Sequence, residues 1–158
     1  MRTRYATAAS PGFTVIELLI AVGIFGVLVS LATAKYSDYR ERIRVNQAET
    51  DIAALSVTIS QYALENNHTL PDSLADVRAG GKLDPWGRPY QYFNLANTKG
   101  NGKARKDKKL NPLNSDFDLY SMGKDGASQS SLMAPTSRDD VIRARDGRFI
   151  GLARDFDP

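Results

Sequence analysis

Glu17 is the residue of this chain whose position most demands a chemical explanation. It lies in the run Gly12-Phe13-Thr14-Val15-Ile16-Glu17-Leu18-Leu19-Ile20-Ala21-Val22, which stays apolar through Phe25, Val27, Leu28, Val29, Leu31 and Ala34. A carboxylate in hydrocarbon is costly, and ionisable side chains in membrane segments face a polar partner or a protein interior. Two buried charges of opposite sign are tolerable only when paired, so Glu17 calls for a cationic or polar partner within a membrane or an assembly. Little else has the spacing of catalysis. The chain has no Cys, which removes thiolate chemistry and Cys-held metals. His68 is the single histidine and stands beside a helix end, where solvation or capping is its ordinary use. There is no Walker motif, no Ser-His-Asp set and no visible pairing of carboxylates, so an anchored hydrolase is a weak alternative.

The elements that carry Glu17 follow from the pattern around it. Residues 13–34 amount to about 22 residues and roughly 33 Å of helix, enough to cross a bilayer. A secretory signal is one competing reading, with Ala32-Thr33-Ala34 as a small-x-small site, but the apolar run exceeds the usual core and contains Glu17. An uncleaved anchor explains the length but neither Glu17 nor Pro11-Gly12; a buried core helix explains neither the length nor the charged leader. From Lys35 to Asn66 there is no Pro or Gly, and Ile43, Ala48, Ile52, Leu55, Ile59 and Tyr62 recur at helical steps. Arg40, Glu41, Arg44, Gln47, Glu49 and Asp51 take the other face. One continuous helix from about Thr14 to about Glu65 is predicted, with its stop at Asn66-Asn67.

Beyond the helix the chain reads as a small α+β head. Pro71 starts a turn, Ser73 to Val77 suits one helical turn, and Gly80-Gly81 is a loop. Asp84-Pro85-Trp86-Gly87-Arg88-Pro89-Tyr90 is a tight turn leading into a strand with Tyr90 and Tyr92; Trp86 is read as a plug over the core. The segment from Lys99 to Lys109 is basic and Gly-interrupted. Without aromatic side chains to stack bases it reads as a solvated hairpin loop, with anionic lipid or an acidic patch on a second subunit as alternatives. Phe117-Asp118-Leu119-Tyr120-Ser121 alternates as a strand with Phe117 and Leu119 on one face, and Arg148 to Leu152 suits another. Two or three antiparallel strands over the helix are expected.

Net charge is +3, and Arg2 and Arg4 of the leader supply two of those charges, so the basic balance does not point to nucleic acid. Those two arginines form a positive cytoplasmic flank, which places the C-terminal head across the membrane. Lys35, Arg40 and Arg42 lie beyond the span and weaken that asymmetry.

The string Gly12-Phe13-Thr14-Val15-Ile16-Glu17 after a polar leader resembles the type III signal of the type IV pilin and pseudopilin superfamily. The resemblance implies cleavage between Gly12 and Phe13 by a membrane prepilin peptidase and N-methylation of Phe13. It also implies that Glu17, four residues beyond Phe13, neutralises the terminal ammonium of a neighbouring subunit in a filament. The Asp84-Pro85-Trp86-Gly87-Arg88-Pro89-Tyr90 and Ser121-Met122-Gly123-Lys124-Asp125-Gly126 motifs look like those of the major pseudopilin of type II secretion. That likeness implies a Ca²⁺ held by the side chains of Asp125, Asp139 and Asp140 and the carbonyls of Met122 and Ser137. Calcium favours oxygen ligands in irregular loops. The stretch from Ala127 to Arg138 is longer than the family pattern, and the Trp that often follows the acidic pair is absent. An Asp-Gly turn and an Asp139 helix cap are the alternative there.

The expected organisation is a cleaved leader at 1–12, a membrane and filament-core helix at 13–35, an amphipathic helix at 36–66 and a periplasmic head at 67–158. The resemblance implies a non-enzymatic, single-pass inner-membrane subunit that homopolymerises in the periplasm to drive protein export. Its partners would be the prepilin peptidase, an inner-membrane assembly platform and minor pseudopilins, with no nucleic acid. A type IV pilin for adhesion, motility or DNA uptake, or an anchored calcium-binding module, are the alternatives. Many filament subunits of the superfamily carry a Pro midway along the apolar helix; Leu31-Ala32-Thr33-Ala34-Lys35 has none, which leaves Gly23 and Gly26 as the weaker breakers.

Overall fold

The structure is a computed structural model that describes residues 12–96 and 103–157. The body of the expected leader and residues 99–102 of the basic loop lie outside the described residues. Helix α1 spans Val15–Glu65, close to the predicted bounds. The chain divides into two units, Met1–Arg40 and Glu41–Pro158, and the division falls within α1.

In the first unit the helix is apolar on every side from Leu18 to Val29. Its large apolar residues from Phe13 to Leu31 are between 44% and 90% exposed. One helix among the described residues is long and apolar enough to cross a membrane, with a mean hydropathy of 2.6 over its best window.

In the second unit α1 becomes one-sided. Ala48, Ile52, Leu55 and Ile59 are buried, and Val45 packs against them. These residues recur at alternating steps of three and four, which keeps them on one stripe. Ile43 was expected there, but it sits five residues before Ala48, about 140° round the helix, and is exposed. The helix ends in left-handed residues, Asn67 (φ 54°) and His68 (φ 61°). The His68 N–H donates to the carbonyl of Ala63 at 2.7 Å, a closing bond that satisfies a terminal carbonyl. His68 therefore serves helix termination.

Four antiparallel strands form a meander in chain order: β1 (Gln91–Asn94), β2 (Phe117–Ser121), β3 (Val141–Ala144) and β4 (Phe149–Leu152). Strand β3 was not foreseen. Its residues are all buried, so Val141-Ile142-Arg143-Ala144 has no apolar-polar alternation to betray it. One sheet face turns Phe117, Leu119 and Val141 onto the helix stripe, where Trp86 and Tyr92 also pack. The opposite face turns Ile142 and Ala144 toward Leu113, Leu132 and Ala153. That second core is covered by irregular segments around residues 104–113 and 128–137, so the head has three layers: helix, sheet and loops.

Candidate assembly and cation sites

At its start, α1 makes a local use of Glu17 that the sequence reading missed. The Thr14 backbone N–H and Oγ1 donate to Glu17 Oε2 at 2.9 and 2.7 Å, and the Glu17 N–H donates to Thr14 Oγ1 at 3.3 Å. This is a reciprocal capping box, which satisfies helix-end donors that have no intrahelical acceptor. Thr14-Val15-Ile16-Glu17 is a Thr-x-x-Glu string, so the signal was present. Gly12 and Phe13 lie outside the helix, and Phe13 is 90% exposed. The expected processing bond is therefore outside the helix and exposed, and the carboxylate sits in the first turn of a bare apolar helix.

In the head, the two sequence motifs interlock. Asp84 Oδ1 accepts the backbone N–H groups of Trp86 and Arg88 at 3.0 and 2.9 Å, while Oδ2 accepts Ser121 Oγ–H at 2.5 Å. Ser121 Oγ in turn accepts the Gly123 N–H. The Arg88 guanidinium donates to the carbonyl of Gly123 at 2.8 Å. Trp86 Nε1–H donates to Glu41 Oε1, so the expected core plug also carries a polar tie to the helix. Tyr90 O–H donates to Asp51 Oδ2 at 2.9 Å, and burial followed by Asp51 pushes its hydroxyl pKa up.

The turn after β2 meets the segment before β3. Gly123 has φ 61°, and a Cβ there would collide with the Asp139 backbone carbonyl, so only glycine permits this approach. Asp139 Oδ2 accepts the N–H groups of Lys124 and Asp125 at 2.9 and 3.0 Å. The structure thus brings together the regions expected to hold calcium, and several of their oxygens accept hydrogen bonds from the chain itself. Asp125 is exposed and its Oδ1 accepts the Ala127 N–H. Asp140 Oδ2 receives Arg105 Nη2 at 2.5 Å and Ser128 Oγ at 2.6 Å. The carbonyl of Met122 accepts the Gly126 N–H, and that of Ser137 accepts the Asp140 N–H. Among the described residues no three acidic or histidine side chains converge as a metal cluster. Calcium takes six to eight oxygens, and the buried carboxylate of this set, Asp140, is already paired with the Arg105 guanidinium. Asp139 is not a helix cap either: a 3₁₀ turn, Pro135–Ser137, precedes it and a strand follows.

The basic segment also departs from its reading as a solvated loop. Ala104 and Arg105 are 1% and 2% exposed. Nothing in the sequence distinguishes Arg105 from the lysines around it. Arg143, equally unforeseen, lies over the Phe117 ring and pairs with Asp116 at 2.7 Å.

Comparison with known proteins gives a consistent picture. The chain is 29% identical to type II secretion system core protein G of Pseudomonas aeruginosa over 141 residues, covering 76% of this chain and 87% of that protein. It is 30% identical to core protein G of Escherichia coli K12 over 109 residues, 56% of this chain and 75% of the relative. A fimbrial protein of Pseudomonas aeruginosa is 40% identical over 57 residues, 36% of this chain and 37% of its own length. No family model matches. No solved structure matches. With its capped apolar helix, its α+β head and this breadth of similarity, the chain belongs to the type II secretion system core protein G family, the major pseudopilins.

Proposed function

We infer that this chain is a structural subunit of a type II secretion pseudopilus. The observation that carries the reading is the bare apolar helix of the first unit, joined in sequence to a folded head. Apolar surface of that extent is stable only under lipid or against other protein. A subunit that waits in the membrane and then packs against copies of itself satisfies both. The prepilin peptidase cuts between Gly12 and Phe13 and methylates Phe13. Glu17 neutralises the terminal ammonium of the neighbouring copy, because a carboxylate leaving water for an assembly needs a cation. The subunit is non-catalytic. It spans the inner membrane once with its head in the periplasm, and works with an assembly platform and minor pseudopilins.

The fimbrial similarity favours one other reading, a surface pilin. Deleting the gene separates the two. Folded export substrates held in the periplasm, with release restored by the wild-type chain, support the pseudopilus. Normal export with loss of surface fibres supports the pilin.

A further inference from the structure

We propose that Arg105 is the resident cation of this head, and that the head holds its outer loops without calcium. The guanidinium joins segments far apart in the chain. Nη2 meets Asp140 Oδ2 at 2.5 Å, and Nη1 donates to Ser128 Oγ at 2.6 Å, which itself donates to the same Asp140 oxygen. The guanidinium carbon lies 4.1 Å from the Tyr120 ring centre. The backbone of the same residue is pinned as well: its N–H donates to Asp118 Oδ2 at 2.7 Å and its carbonyl accepts the Leu113 N–H at 2.8 Å. Lys106 bonds Ser130 and Leu132 through its backbone, which docks the basic segment against the loop before β3.

One side chain thus ties the basic segment, β2, the Ala127–Arg138 loop and the start of β3. Those are the loops that a divalent ion between Asp125, Asp139 and Asp140 would gather. The arginine supplies the positive charge that the buried Asp140 requires, for the Asp140 side chain is fully buried. Of the buried side-chain atoms in this cluster, Asp140 Oδ1 and Arg105 Nε have no hydrogen-bond partner among the described residues. With Oδ2 given to the guanidinium and to Ser128, Asp140 has one oxygen left to offer an ion that takes six to eight. A calcium ion entering beside the guanidinium would also meet like charge in a site poorly screened by water. The longer loop has a structural purpose on this view, because it delivers Ser128 to the ion pair.

The test is thermal unfolding of the full chain in detergent, followed by fluorescence of Trp86, the only tryptophan. The wild-type midpoint should be the same, within about 1 °C, in chelator and in excess calcium. Arg105→Met should lower it by about 10 °C or more, because Asp140 is left as an unpaired buried charge. Arg105→Met/Asp140→Asn should recover at least half of that loss, since the stranded charge is gone. A wild-type midpoint that rises by about 5 °C or more with calcium would overturn the proposal. So would losses from Arg105→Met and Asp140→Asn that simply add. The wild-type melts need no variant, so the decision stands even where Arg105→Met does not fold.

Discussion

Asp84→Ala is the perturbation that most sharply probes how the head motifs work together. The carboxylate is 5% exposed and accepts three hydrogen bonds, from Trp86 N–H, Arg88 N–H and Ser121 Oγ–H. A hydrogen bond to a charged group contributes about 1.5–3 kcal/mol, and the donors left behind are poorly placed to reach water. Allowing for partial rehydration near Trp86 and Arg88, the loss is about 4 kcal/mol. For a domain of this size that lowers the midpoint by about 12–20 °C. Asp84→Asn keeps the Oδ1 bonds and loses only the acceptor for Ser121, so its loss is about 1.5 kcal/mol. Ser121→Ala removes the same bond and strands the Gly123 N–H, for about 2 kcal/mol. In the double variant Asp84→Ala/Ser121→Ala the shared bond is lost once, so the total falls short of the sum by about 1.5 kcal/mol. Thermal unfolding read by Trp86 fluorescence measures the four variants against the wild type. A midpoint for Asp84→Ala within about 2 °C of wild type, or strict additivity in the cycle, refutes the reasoning.

Three further outcomes are expected. Replacing Gly12 with a bulky residue should block maturation, whereas the wild-type membrane protein should have the intact mass of a chain that starts at methylated Phe13; a terminus at Lys35 would establish a secretory signal instead. Glu17→Gln keeps a side chain able to serve the capping box but loses the charge, and Thr14→Ala does the reverse. Filament yield at equal membrane abundance should collapse in the first and stay near wild type in the second; equal yields would remove the charge from assembly. Asp116 is held below the usual carboxylate range: burial opposes this, but Arg143 and the Phe117 N–H outweigh it. A lowered folded pKa gives stability that is full above the unfolded value of about 3.9 and is lost as pH falls through the folded one. Asp116→Asn should therefore be less stable than wild type at pH 7 and converge with it as pH drops below about 3; a constant gap between the two melting curves across that range would count against the pairing.

The spine and the motif turns were legible in the sequence because their signals are local. Thirty-odd residues without Gly or Pro, with Ala48, Ile52, Leu55 and Ile59 in register, define the amphipathic half of α1. Phe117 and Leu119 alternate because one face of β2 meets that helix. Strand β3 was hidden because both of its faces are buried, which erases the period of two. Arg105 was hidden for a different reason. Its burial depends on Asp118, Tyr120, Ser128 and Asp140, which only the fold brings to it. The residues expected to hold calcium come together in the fold, where the Asp139 carboxylate accepts N–H groups and that of Asp140 pairs with the arginine. Neighbouring acidic residues in a sequence say nothing of which cation, bound or built in, stands opposite them.

The central claim is that copies of this chain pack through their apolar helices into a filament that drives export. The most direct measurement is chemical cross-linking in intact cells that lack the chromosomal copy and express the chain at native level, with export scored in the same culture. The account predicts a ladder of multimers of the mature chain together with export substrate in the medium, and loss of both in Glu17→Gln. A chain that remains monomeric in the membrane while export proceeds normally would contradict it.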